Sequence, residues 1–123
     1  MPGAPLIVIV DDDAAIRRAI ASLVESAGFA SASFTSAEDC LCSGRLAECA
    51  CLILDVRMPG MDGLQLQSHL LARNERIPII FISAHGDNGE RAQAIQAGAV
   101  AFLAKPFDHQ ELLDAIDSAL VKS

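Results

Sequence analysis

The sequence predicts an α/β domain with a doubly wound parallel sheet, five strands alternating with five helices that cover both faces. Two patterns carry that expectation. Short segments such as LIVIV at 6–10, CLILD at 51–55 and IPIIFIS at 77–83 are apolar almost throughout, as strands buried on both faces are. Stretches of helical period separate them, so consecutive strands run parallel through right-handed crossovers. A length of 123 residues with 52% hydrophobic content suffices for one core without disulfide or metal staples.

The elements follow in order. The first strand, 6–10, ends at Asp11, Asp12 and Asp13. Ile16, Ile20, Leu23, Val24 and Ala27 then recur at helical spacing, with Asp13 as the best N-cap and Gly28 as the stop. ASASF at 30–34 alternates small and polar side chains and predicts a strand near an edge, and Ser36 can cap the short helix behind it. The third strand, CLILD, stops before the Pro59-Gly60 turn, and a helix through Leu66, Leu70 and Leu71 follows. The fourth strand spans 77–83, with Pro78 confined to its first positions. Glycines at 86 and 89 break it, and ERAQAIQAGA at 90–99 is a helix stopping near Gly98. VAFLA at 100–104 is the fifth strand. Pro106 ends it, and Asp108 can cap a last helix carrying Leu112, Leu113, Ile116, Ala119 and Leu120.

The formal net charge is −7 and the basic residues are scattered, so the chain has no global attraction for nucleic acid. Direct contact with DNA would need another domain. No apolar run approaches the ~20 residues of a membrane span. The opening MPGAPLIVIV lacks the charged start and cleavage site of a signal peptide, so a soluble cytoplasmic protein is expected. The four cysteines form Cys40-x-Cys42 and Cys49-x-Cys51, tighter than the usual spacing of zinc ligands. Reduced thiols, buried or half-buried, are the expectation.

Where the polar residues fall is more informative. Asp11 and Asp12 follow the first strand, Asp55 ends the third, Ser83 the fourth, and Lys105 follows the fifth. In an open parallel sheet all strand C-termini share one edge, and ligands bind there, where the strand order reverses. Taken singly, each residue has an ordinary reading as a helix cap, a turn acid, a turn hydroxyl or a surface lysine. Their convergence is the signal. Three carboxylates a few ångströms apart repel and require a cation. Few, oxygen-only ligands with room for water suit Mg²⁺ better than Zn²⁺ or a closed Ca²⁺ cage. Such a metal facing a lysine and a hydroxyl suits phosphoryl transfer, in which an Asp carboxylate can itself be the nucleophile and form an acyl phosphate.

VDDD, LDVRMPGMDG, ISA and AKPF, in this order and spacing, resemble the receiver domain of two-component response regulators, the CheY-like fold. SAHGD and AGAVAFLAKPF are similar to its FixJ-type subfamily, which usually carries a C-terminal helix-turn-helix. The resemblance implies that residues 1–123 form one receiver domain with strand order 2-1-3-4-5. It implies that Asp55 is the phosphoacceptor, taking its phosphoryl group from a phosphohistidine on a sensor histidine kinase. Asp12, Asp55 and the backbone carbonyl of Arg57 would ligate Mg²⁺, and Asp11 would act through a metal-bound water. Lys105 would pair with Asp55 before phosphorylation and with a phosphoryl oxygen after it, and its bond to Pro106 would be cis. Ser83 would bond the phosphoryl group and draw its loop inward, and Phe102 would be the switch aromatic that turns inward when Ser83 moves. The face of the fourth helix, fifth strand and fifth helix would then dimerise or bind a target. The chain is expected to be a stand-alone receiver or the receiver piece of a longer transcription regulator, its own enzymology limited to its phosphorylation and dephosphorylation.

Two other readings compete. A haloacid-dehalogenase-like Mg²⁺ phosphohydrolase also uses an Asp nucleophile, but wants a second acid two residues later, where this chain has Arg57. A pseudo-receiver that has lost phosphorylation would lack one of the acids or the lysine, and all are present. His69 and His109 lie in helical stretches and are expected to face solvent; Met58 and Met61 are expected to pack over the turn. Arg57 and His85, two residues beyond Asp55 and Ser83, occupy positions that in this family influence water access to the acyl phosphate. Exchanging both is expected to change the lifetime of the phosphorylated state, measured as its decay after removal of the phosphodonor; unchanged decay would refute this.

Overall fold

The computed structural model describes residues 3–84 and 88–122, with the side chains of residues 88 and 122 left aside. Its elements are β1 (Leu6–Val10), α1 (Ala14–Ser26), β2 (Ala30–Phe34), α2 (Ala37–Ser43), a 3-10 turn (Arg45–Glu48), β3 (Cys49–Asp55), α3 (Gly63–Ala72), β4 (Ile79–Ser83), α4 (Asn88–Gln96), β5 (Ala101–Ala104) and α5 (His109–Lys122). All pairings are parallel, and the sheet order is β2-β1-β3-β4-β5, as expected. His85 lies outside the described residues.

The fully apolar strands are apolar because each alternate residue faces a different helix layer. Val8, Val10, Leu52, Leu54 and Phe81 join Leu66 and Leu70 on the side of α2, α3 and α4. Ile7, Ile9, Ile53, Ile80 and Ile82 join Ile20 and Val24 of α1 and Leu112 and Ile116 of α5 on the other. β2, with its small and polar residues, takes the edge predicted for it.

Caps behave as the sequence indicates. Asp13 accepts from the Ala15 and Ile16 amides, and Ser36 accepts from the Asp39 amide. The end of α1 is closed by Gly28 at φ 97°, where the Gly28 and Phe29 amides return to the Glu25 and Val24 carbonyls, a Schellman arrangement. Asp108 meets the Gln110 amide at 3.4 Å, a long cap for α5. The Lys105–Pro106 bond is cis.

Several boundaries differ from the sequence reading. β4 begins at Ile79, not at residue 77, because Pro78 has no amide to pair; its carbonyl still accepts from the Leu52 amide. β5 begins at Ala101, and β3 begins at Cys49, with a register shift opposite Leu6/Ile7. That shift lets Cys49 pack with one layer and Cys51 with the other. Leu71 points outward and Ala27 is an exposed C-cap, so neither extends its helix's buried stripe. His69 and His109 are exposed, and Met58 is buried. No helix among the described residues is long and apolar enough to cross a membrane.

The thiols are graded by burial. Burial pushes Cys40 and Cys51 up to about 12, with Cys49 adding to both, and pushes Cys49 itself up to about 11. Cys42 is exposed. At pH 8 a colorimetric disulfide reagent should therefore titrate one fast thiol per native chain, lost in Cys42→Ser, with the other three reacting only on unfolding. Rapid reaction of two or more would contradict this packing.

Candidate functional site

The parallel sheet delivers its strand ends to one edge. The Asp11 amide bonds the Phe34 carbonyl, the Val56 amide the Ile82 carbonyl and the Lys105 amide the Ser83 carbonyl, so each polar residue leaves the sheet from a fixed ladder position. β1 lies between β2 and β3, and the order reverses there; Asp11 and Asp55 flank that crevice.

Asp11 is fully buried and doubly held. Its Oδ1 accepts from the Asp13 amide at 2.8 Å and its Oδ2 from Lys105 Nζ at 2.9 Å. Arg17 Nη1 donates to the Asp11 carbonyl at 2.7 Å. Asp12 faces solvent. Asp55 is only 5% exposed; its Oδ2 lies 3.5 Å from Lys105 Nζ and its Oδ1 accepts a long 3.4 Å bond from the Arg57 amide. One oxygen from each of Asp11, Asp12 and Asp55 can be chosen so that all lie within 4.8 Å of one another, a group able to hold a metal ion. Ser83 is buried at the end of β4.

The sequence reading paired Lys105 with Asp55. The structure brings it to both acids and closer to Asp11, at 2.9 Å against 3.5 Å for Asp55. Phe102 is already inward, 5% exposed, with its ring centroid 6.1 Å from that of Phe81.

Two contacts that sequence reading missed fix the loop after β3. Glu38 of α2 accepts from the Met61 amide at 2.9 Å, and a Cβ on Gly60 (φ 76°) would come within 2.6 Å of the same carboxylate. Gly63 packs so closely that a side chain there would strike the Asp55 carbonyl oxygen, while its amide bonds the Val56 carbonyl at 2.8 Å. Asp62 and Gln65 form a reciprocal capping box at the start of α3. Arg57 Nη2 reaches Glu90 of α4 at 3.2 Å.

Electrostatics follow from burial and neighbours. Burial first, and the charge of Asp11 second, raise Asp55 to about 6 against the opposing pull of Lys105 and the Arg57 amide. Burial works against the Lys105 ammonium, but its hydrogen bond to Asp11 and the charges of Asp11 and Asp55 outweigh that, leaving it above its ordinary range.

The response regulator receiver domain model matches residues 7–117. The chain belongs to that family. Among curated relatives, the response regulator protein TodT of Pseudomonas putida is 51% identical over 117 residues, 95% of this receiver and 52% of TodT. The transcriptional regulatory protein FixJ of Azorhizobium caulinodans is 38% identical over 123 residues, all of this receiver and 58% of FixJ. The solved structure of the response regulator StyR superposes with a TM-score of 0.90 at 45% identity, covering 98% of this receiver and 61% of StyR. The chain therefore spans little more than half the length of these relatives. The fold is CheY-like, and the receiver is a signalling domain of two-component systems.

A free aspartate releases its proton near 3.8, folded Asp55 near 6. Between those values the folded state binds more protons, so this residue's contribution to stability falls as pH rises through that window. In EDTA at pH 7, Asp55→Asn should therefore be more stable than wild type by about 2 kcal/mol. The advantage should fade toward pH 4. Urea midpoints across that range check it, and a pH-independent difference would contradict the assigned cause.

Proposed function

We propose that this receiver is a phosphorylation switch in which Asp55 takes a phosphoryl group from the phosphohistidine of a sensor histidine kinase. The observation that supports this most is a buried carboxylate at the sheet's reversal point, held beside an ammonium and two further acids. With its pKa raised to about 6, Asp55 is ionised at neutral pH and more basic than a solvated aspartate. An Asp55 oxygen attacks phosphorus in line while the phosphorus–nitrogen bond breaks. The histidine nitrogen keeps that electron pair, and the product is an aspartyl phosphate. Lys105 pairs with a phosphoryl oxygen, and the Ser83 hydroxyl donates to another.

The donor set fits Mg²⁺: all oxygen, and three carboxylates against one ammonium leave two negative charges to be balanced. Asp12, Asp55 and the backbone carbonyl of Arg57 would hold the ion, with Asp11 acting through water. When bound it would neutralise charge on the phosphoryl oxygens. The residues that order the loop without it are Glu38, Gly63 and the Asp62–Gln65 pair.

Phosphorylation then favours the conformer in which Ser83 has drawn its loop toward the acyl phosphate and Phe102 lies inward, and the α4–β5–α5 face carries the change to a second copy or a target. Residues 1–123 act as one receiver domain in the cytoplasm. The length and names of the relatives favour a further output domain that regulates transcription, and this acidic domain leaves DNA contact to it. Beyond its own phosphorylation and dephosphorylation it catalyses nothing. The hydrolase alternative finds no second acid at position 57, whose side chain instead pairs with Glu90.

Incubation with acetyl phosphate or phosphoramidate and Mg²⁺ should add the mass of one phosphoryl group to the intact chain and none to Asp55→Asn. Continuous turnover of phosphate esters would favour a hydrolase. With neither Trp nor Tyr in the chain, metal binding is read by thermal shift. Asp12→Ala should raise the metal-free melting temperature slightly, by relieving repulsion, and abolish the rise caused by Mg²⁺. A surviving metal response would remove Asp12 from the ligand set.

A further inference from the structure

α4 is poorly anchored by apolar contact. Of its described side chains only Ala94 is buried, and Ile95 faces outward. Polar ties hold it instead. Gln67 Nε2 donates to the Ala94 carbonyl at 3.1 Å, and Arg91 Nη1 donates to the Phe102 carbonyl at 3.3 Å. The third tie is the Arg57–Glu90 ion pair at 3.2 Å, which joins the first turn of α4 to the loop that follows Asp55. A helix with so little buried surface sits at the low end of local stability, where a single polar contact shifts its populations.

We propose that the Arg57–Glu90 ion pair is a latch that holds α4 on the phosphoacceptor loop and that negative charge added at Asp55 opens. The inference rests on the receiver reading above. The Arg57 amide meets Asp55 Oδ1 only through a long 3.4 Å bond, and its side chain is 56% exposed, so the guanidinium has room to swing. A guanidinium has a fork of donors suited to a phosphoryl group as well as to a carboxylate. Glu90 is the less accessible partner, 21% exposed, and its Oε1 is buried with no hydrogen-bond partner among the described residues. It therefore depends on Arg57 for compensation. A phosphoryl group on Asp55 attracts Arg57 and repels Glu90, and both effects act against the pair.

Coupling between two contacts is reciprocal: if charge at Asp55 loosens the latch, loosening the latch must strengthen binding of that charge. A pair this exposed contributes little, so the expected effect is about two- to fivefold in affinity. The probe is beryllofluoride with Mg²⁺, a phosphoryl mimic, titrated by thermal shift against wild type, Glu90→Gln, Arg57→Gln and the double variant. Glu90→Gln should bind about two- to fivefold more tightly. Arg57→Gln should bind more weakly, and adding Glu90→Gln to it should tighten binding less than the same change does in wild type, because only the direct repulsion is left to relieve. Hydrogen exchange supplies the structural readout. Amides of the first turn of α4 should exchange faster in either single variant without ligand, but in wild type only with beryllofluoride. Unchanged affinity in Glu90→Gln, equal tightening on the Arg57→Gln background, or protection of that turn on binding would each overturn the latch while leaving the receiver reading intact. Failure of wild type to bind beryllofluoride, or undiminished binding by Asp55→Asn, would overturn both.

Discussion

The rest of the site depends on one half-buried ammonium. Lys105 Nζ stands between Asp11 and Asp55 at the point where the strand order reverses, 2.9 Å from one and 3.5 Å from the other. Without it, two acids sheltered from solvent would face each other in a region of low polarisability, and at least one would take up a proton. With it, Asp11 stays fully engaged and Asp55 keeps a basic, ionised carboxylate at neutral pH. The lysine thus helps fix the charge state of Asp55.

That arrangement explains why the sheet must be parallel and covered on both faces. Lys105 and Asp11 are separated by almost the whole chain and meet only because β1 and β5 end at the same edge. The positioning comes from the ladder: amides at 11, 56 and 105 each bond the neighbouring strand's last carbonyls, so these side chains start from rigid backbone. Flexible loops would lose that precision.

Most of the architecture is legible in the sequence because burial on both faces writes itself as unbroken apolar runs, and β2, lacking one, also declares its edge position. The residues of the site are legible for a related reason. Polar side chains at the ends of such runs have only one edge to occupy. Finer geometry is not written there. Nothing local says that Lys105 sits nearer Asp11 than Asp55, that Phe102 already lies against Phe81, or that Glu38 reaches the Met61 amide. Each is a contact between elements that periodicity treats independently. The start of β3 escaped for a different reason: its first residues depend on a register shift against Leu6 and Ile7, which no alternation pattern encodes.

The two sides of the molecule are built to different standards, and that contrast bears on signalling. α1 and α5 pack Ile20, Val24, Leu112, Ile116 and Ala119 against Ile7, Ile9, Ile53, Ile80 and Ile82. α4, on the opposite layer, offers Ala94 and little else, and substitutes polar ties to α3, β5 and the loop after β3. Dispersion and burial change little when a charge appears at Asp55, because they do not sense charge. Ion pairs and hydrogen bonds to charged groups do. A helix held chiefly by polar contacts is therefore more responsive to charge added at the sheet edge than one held by an apolar stripe, and the bond from Arg91 to the Phe102 carbonyl ties α4 to β5.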